Sequence, residues 1–209
     1  MSDEKTGSVN RQPFSLEMLL RKVFKGIIDP IAGFFLKIGL KPNHITALGF
    51  ILAAVSAWLI AIGRIQIAGL VLLVGAPLDV IDGSMARKLG ETGRYGALLD
   101  SVVDRYSELV VLGGLLLYFM DIGSITGMLL VFVSAAGSVM VSYVKARAEA
   151  LNFNAKVGIL TRVERMIVMV ICLLIGMPII ALWIIAILAN FTAVQRMIFV
   201  HKQGKEARS

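Results

Sequence analysis

Six apolar segments, at roughly residues 43–63, 66–86, 97–120, 123–144, 160–177 and 179–200, follow one another along this 209-residue chain. Each is long enough to cross about 30 Å of hydrocarbon as an α-helix. Runs of this length constrain a fold strongly, because backbone N–H and C=O groups in a bilayer must be paired inside a helix or a closed barrel. Hydrophobic residues make up 57% of the chain, against about 45–50% in a soluble domain. The excess must face lipid. The expected fold is therefore all-α: a polytopic membrane protein with six transmembrane helices.

The flanks read differently. Residues 1–13 are polar and are expected to be a disordered tail, with no apolar signal-peptide core. In residues 14–40 apolar blocks alternate with Arg21, Lys22, Lys25 and Lys37, so no apolar window reaches spanning length. That pattern suits an amphipathic helix lying in the membrane interface and interrupted near Pro30. Residues 41–201 form the six-helix domain and 202–209 a basic tail. The single cysteine, Cys172, lies in an apolar run, which excludes an intrachain disulfide and a cysteine-based metal site.

The net charge is +7, but its distribution argues against nucleic acid as a partner. The basic residues gather at the ends of the apolar runs, where anionic headgroups and anionic substrates are the natural partners. Seven, from Lys5 to Lys41, precede the first segment. Four more (Arg87, Lys88, Arg94 and Arg105) lie around the second connection, five from Lys145 to Arg165 in the fourth, and four from Arg196 to Arg208 at the end. Only Arg64 falls on the other side. By the positive-inside rule both termini are expected in the cytoplasm, with the protein in the cell membrane.

Chemistry is concentrated in Asp79-Val-Ile-Asp82-Gly83-Ser-Met-Ala86-Arg87, followed after eight residues by Gly96-Ala-Leu-Leu-Asp100-Ser-Val-Val-Asp104. Asp79 and Asp82 are spaced i, i+3 and share one helix face; Asp100 and Asp104 are spaced i, i+4 and share another. A short connection makes the two helices antiparallel neighbours, so the four carboxylates can converge just inside the cytoplasmic boundary. A single Asp at the membrane centre costs about 2.5–3.5 kcal/mol even on insertion scales, and four together repel one another. Divalent cations relieve both costs, and hard oxygen ligands suit Mg²⁺ or Mn²⁺. Four acids suit a two-ion site gripping a diphosphate. Gly83 and Ala86 remove bulk so that a ligand can approach the backbone, and Arg87 is suited to pair with phosphate. Helix-end caps and ion pairs with Arg87, Arg94 and Arg105 are the plain structural alternative for any one of these aspartates.

The pattern D-x2-D-G-x2-A-R-x8-G-x3-D-x3-D resembles the signature of the CDP-alcohol phosphatidyltransferases, with every fixed position filled. The resemblance implies a six-span, homodimeric membrane enzyme whose site is open to the cytoplasm and which displaces CMP from a CDP-linked lipid by the hydroxyl of a small alcohol. It implies that Asp79, Asp82, Asp100 and Asp104 bind the metals, with Asp104 also the general base. It further implies that Gly83, Ala86, Arg87 and the loop Pro42-Asn43-His44-Ile45 contact the CDP part. Where one subfamily has a nucleotide-contacting Thr, this chain has Gly93, with Thr92 beside it.

A second stretch, Ser142-Tyr-Val-Lys145-Ala-Arg147-Ala-Glu149 with the later Thr161-Arg162-Val-Glu164-Arg165, bridges the cytoplasmic ends of segments four and five. Topology alone accounts for basic residues here. The run is nevertheless similar to phosphatidylinositol-phosphate synthases and their archaeal counterparts, whose acceptor is inositol phosphate and whose donor is CDP-diacylglycerol or CDP-archaeol. That similarity implies Ser142, Lys145, Arg165 and Arg196 at the acceptor phosphate. Glycerol 3-phosphate is the competing acceptor. A cation transporter or channel would spread its acids through the membrane depth, whereas these lie at one level.

The remaining features have modest readings. Glu108, one turn beyond Asp104, is expected to orient it or to pair with Arg105. His44 and His201 read as interfacial, and Gly113-Gly114 and Ala135-Ala136-Gly137 as helix-packing or dimer contacts.

Overall fold

The computed structural model describes residues 28–90 and 93–206. Residues 28–37 are helical (α1), followed by α2 (Pro42–Ala61), α3 (Ile65–Gly75), α4 (Leu78–Leu89), α5 (Arg94–Asp121), α6 (Ile125–Ala150), α7 (Arg162–Leu174) and α8 (Pro178–Glu206). The fold is all-α, and the described residues contain no strand. The tail expected over 1–13, the first part (14–27) of the interfacial helix expected over 14–40, and Thr92 lie outside the described residues. α8 runs on to Glu206 and takes in the first part of the expected basic tail.

Local sequence accounts for the helix boundaries. Pro42 and Pro178 open α2 and α8, where a missing N–H costs nothing because that donor has no intrahelical partner. Ser124 caps α6, its hydroxyl accepting the Gly127 N–H at 3.2 Å. The segment expected as a span over 66–86 is present as one apolar stretch, Ile65–Leu89, with its helix interrupted at Ala76-Pro77. Pro77 cannot donate to the carbonyl four residues back and its ring crowds that turn, so α3 ends at Gly75 and α4 starts at Leu78. The break has a functional consequence, because it puts Asp79 in the first turn of α4. The left-handed Gly90 (φ 68°) then closes α4.

Four stretches among the described residues are long and apolar enough to cross a membrane: Pro42–Ala61, Ile65–Leu89, Ile125–Ala150 and Pro178–Lys205. The other two expected spans do not qualify on length and composition. α5 has 28 residues, but Asp100, Asp104, Arg105 and Glu108 interrupt it between its second turn and its middle. α7 has 13 residues and at about 1.5 Å per residue reaches only about 20 Å. Large apolar side chains such as Trp58, Ile187 and Phe132 (71% exposed) cover the outside of the bundle, as suits an integral membrane protein.

α2 packs along α5, α3 and α4; α6 lies against α8 and α5; α7 joins α3 to α8. Ile60, Leu115, Leu173, Leu182 and Ile185 form the centre of the main core. A second cluster of Ile28, Ala32, Ile45, Ile81 and Met85 docks α1 on α2 and α4. The polar side of that joint is Asp29, which accepts from Ser84 Oγ at 2.6 Å and, through its carbonyl, from Lys88 Nζ.

Small residues set the closest approaches. A Cβ on Gly114 would lie 2.4 Å from the Ala57 carbonyl oxygen and 2.7 Å from its Cα, so α2 and α5 meet there backbone to backbone. One on Gly137 would meet Asn190 of α8 at 2.6 Å, whereas one on Gly113 would meet nothing within 4 Å. Gly114→Ala is therefore expected to destabilise the bundle by about 1–3 kcal/mol through overpacking. Gly113→Ala should be neutral or mildly stabilising. Thermal unfolding of the two variants in detergent checks this, and equal melting temperatures would contradict the close approach.

Candidate metal and anion site

Asp79, Asp82 and Asp100 each offer a carboxylate oxygen, and these atoms all lie within 4.8 Å of one another. α4 supplies two of them and α5 the third. The two helices, expected as close neighbours, make little direct contact; both lean on α2, and the acids meet across the gap. α2 also contributes Thr46, whose hydroxyl donates to Asp82 Oδ2 at 2.6 Å. Asp82 is buried, and Asp79 and Asp100 are half-buried.

Asp104 is buried but stands outside that triad. Its Oδ2 lies 2.5 Å from Arg162 Nη1, which also donates to Asp79 Oδ2 at 2.7 Å. Arg105 Nη1 is further off, 3.9 Å from Asp104 Oδ2. Arg162 arrives from the first turn of α7, preceded by Thr161, whose hydroxyl donates to Glu164.

One contact is missing in a telling place. Asp100 Oδ1 is buried and has no hydrogen-bond partner, although a buried carboxylate oxygen without a donor carries the full desolvation cost. Thr46 and Arg162 leave that oxygen untouched. A hard dication bound by Asp79, Asp82 and Asp100 would satisfy it, so the donor set fits Mg²⁺ or Mn²⁺.

A cavity of about 680 Å³ opens beside the acids. Asp79, Asp100, Asp104, Gly83 and Arg87 line it from α4 and α5, and Ser142, Lys145, Arg162 and Arg196 from α6, α7 and α8. The two stretches singled out in the sequence thus meet at one space. A smaller cavity of about 110 Å³ shares Asp79, Asp104 and Arg162 but is lined by Asp82, Glu108 and Arg165 as well.

Other expected contacts fall elsewhere. Pro42-Asn43-His44-Ile45 is not a loop but the first turn of α2, and the Ile45 side chain is buried against Ile81 and Met85. Ala86 and Gly93 do not line the large cavity. Arg165 is 2% exposed and grips Glu108 through two bonds, Nε to Oε1 at 2.6 Å and Nη2 to Oε2 at 2.9 Å. Glu108 therefore pairs with Arg165 rather than Arg105. Arg196 donates to the Val157 and Val141 carbonyls at 2.7 and 2.6 Å. With Thr192, whose hydroxyl accepts the Leu160 N–H at 3.1 Å, it pins the loop leading into α7.

Two residues of the site were not singled out from the sequence. Thr46 lies four residues after Pro42, a helical spacing that could have suggested it. Arg162 was counted with the topology-setting basic cluster, and only its place beside Thr161 and Glu164, at a helix start, marks it out.

The family model of the CDP-alcohol phosphatidyltransferases matches residues 40–195. An archaetidylinositol phosphate synthase of Methanothermobacter thermautotrophicus is 35% identical, over 88% of this chain and 94% of its own. A phosphatidylinositol phosphate synthase of Streptomyces avermitilis is 32% identical, over 92% of this chain and 85% of its own. The crystal structure of Mycobacterium tuberculosis phosphatidylinositol phosphate synthase with CDP-DAG bound superposes with a TM-score of 0.78 at 30% identity, covering 83% of this chain and 93% of that one. The same enzyme in complex with manganese and citrate gives 0.76 at 29% identity, covering 83% and 88%.

The Glu108–Arg165 pair ties α5 to α7 beneath these contacts. Removing one partner strands a buried charge, so Arg165→Ala is expected to cost about 3–5 kcal/mol. Replacing both, as Glu108→Leu with Arg165→Met, should recover most of it. Denaturant unfolding of the single and double variants measures the difference. A double variant no more stable than the single one would contradict the pairing.

Proposed function

Because this chain belongs to the CDP-alcohol phosphatidyltransferase family, we propose that it transfers the phosphatidyl or archaetidyl group of a CDP-linked lipid to a hydroxyl of inositol phosphate, releasing CMP. The observation that carries the reading is the single cavity of about 680 Å³ in which the acids of α4 and α5 face Ser142 and Lys145 of α6. Donor chemistry and a basic acceptor pocket need such a shared space. The names of the relatives at 32–35% identity support inositol phosphate as the acceptor, and those of the solved structures support a CDP-diacylglycerol donor and a divalent metal.

In this reading residues 41–201 are the catalytic domain, with six spans, both termini in the cytoplasm and the cavity open to that side. α5 and α7 supply the two further spans; their charged ends face the acidic cluster and cavity instead of lipid. The donor's diphosphate lies along α4, where Gly83 leaves room for it and Arg87 pairs with it. Pro42 to His44 border the nucleotide, while Ala86 and Gly93 stand back from the cavity and carry no contact in this reading.

Asp79, Asp82 and Asp100 would hold Mg²⁺ or Mn²⁺, with Asp104 completing a second position. When bound there, the metal would neutralise the diphosphate and the charge that grows on departing CMP. The acceptor hydroxyl attacks the lipid-bearing phosphorus, the P–O bond to CMP breaks, and the hydroxyl proton goes to an Asp104 carboxylate oxygen. Ser142 and Lys145 hold the acceptor's phosphate at hydrogen-bonding range and so fix which hydroxyl points at the donor. Arg165 and Arg196, engaged with Glu108 and with backbone carbonyls, keep that pocket in register and lend it positive charge.

Purified protein in detergent, given CDP-diacylglycerol, Mg²⁺ and labelled inositol phosphate, is expected to release CMP and form a labelled lipid. Asp104→Asn should abolish turnover while nucleotide binding survives, and Lys145→Ala should raise the acceptor KM with little change in kcat. No CMP release with any small alcohol would sink the enzymatic reading. Faster turnover of glycerol 3-phosphate would sink the acceptor assignment alone.

A further inference from the structure

Among the described residues, Arg162 is the cation in hydrogen-bond contact with the acidic cluster, whereas Arg105 Nη1 stands further off, 3.9 Å from Asp104 Oδ2. Arg162 Nη1 lies 2.7 Å from Asp79 Oδ2 and 2.5 Å from Asp104 Oδ2, a single nitrogen bridging carboxylates on two different helices. Asp79 is thereby shared: it belongs to the triad suited to a metal ion and is also a partner of Arg162. A dication using Asp79 and a guanidinium in contact with the same carboxylate repel each other at short range. The two therefore compete.

We infer that Arg162 is a tethered counter-ion, occupying Asp79 and Asp104 until the metal displaces it. This rests on the metal reading given above. Without such a cation, four acids brought together on two helices that barely touch would drive α4 and α5 apart. With it, the metal-free site stays assembled, and the metal is bound more weakly than the acids alone would bind it. The displaced guanidinium has somewhere to go, because Arg162 already lines the cavity it shares with Ser142 and Lys145. α7 itself does not depend on this contact: one turn further on, Arg165 anchors the helix to Glu108 by two bonds.

The test titrates Mn²⁺ into the metal-free full chain in detergent, following free Mn²⁺ by its paramagnetic resonance signal. Wild type, Arg162→Gln, Arg162→Met and Lys145→Gln are compared. Arg162→Met keeps the side chain's bulk without charge and carries the test should Arg162→Gln not fold. Lys145→Gln removes one positive charge from the same cavity without touching the carboxylates. Arg162→Gln is expected to bind Mn²⁺ about tenfold more tightly than wild type, the scale of one lost charge-assisted contact. Its metal-free form should melt below wild type, with the difference closing in saturating Mn²⁺. Equal or weaker Mn²⁺ binding by the Arg162 variants, with wild type binding normally, would overturn the inference and leave the metal reading standing. Equal tightening by Lys145→Gln would overturn it too, since the effect would then be the general field of the cavity. Failure of Mn²⁺ to bind wild type and variants alike would remove the metal reading and the inference with it.

Discussion

Carboxylates crowded at the edge of an apolar bundle are the interaction on which the rest of this structure depends. Asp79, Asp82 and Asp100 lie close enough to repel strongly, in surroundings that screen charge poorly. Two neighbouring helices answer that cost in part. α2 brings the Thr46 hydroxyl to Asp82, and α7 brings Arg162 to Asp79 and Asp104. What these leave over, the bare Asp100 oxygen, is the part of the cost that protein groups do not meet.

The architecture can be understood as a frame that holds those partners in place. Pro77 interrupts the helix of the second apolar stretch just before Asp79, and the interruption lies on the cavity wall. Gly114 lets α2 and α5 approach closely, which fixes Thr46 relative to Asp100 and Asp104. The Glu108–Arg165 pair joins α5 to α7, while Arg196 and Thr192 of α8 tie down the loop that feeds Arg162 into the site. Buried ion pairs are weak sources of net stability; what the Glu108–Arg165 pair supplies is a two-bond link between α5 and α7.

Much of this was legible in the sequence, for a physical reason. Helical periodicity is local, so the spacings of Asp79 with Asp82 and of Asp100 with Asp104 announced shared faces directly, and the apolar runs announced helices. Partnerships across the bundle left no such trace. Arg162 meets Asp79 across 83 residues, and Arg165 meets Glu108 across 57; in the sequence both arginines belong to a basic cluster that topology alone would explain. Pro42 to Ile45 read as a loop because polar residues and a proline precede an apolar run, yet a proline is equally at home in the first turn of a helix. The count of spans was blurred for a related reason. α5 carries charge through its first turns, which a hydropathy criterion penalises, and α7, with 13 residues, falls short of spanning length.

The central claim, that Asp79, Asp82 and Asp100 converge to bind a divalent ion, is open to one direct measurement. Crystals of the protein soaked in Mn²⁺, with data collected at the manganese absorption edge, should show an anomalous peak between the three carboxylates, with Asp100 Oδ1 among its ligands. An anomalous map empty at that position under saturating Mn²⁺, with Arg162 still on Asp79 and Asp104, would contradict it.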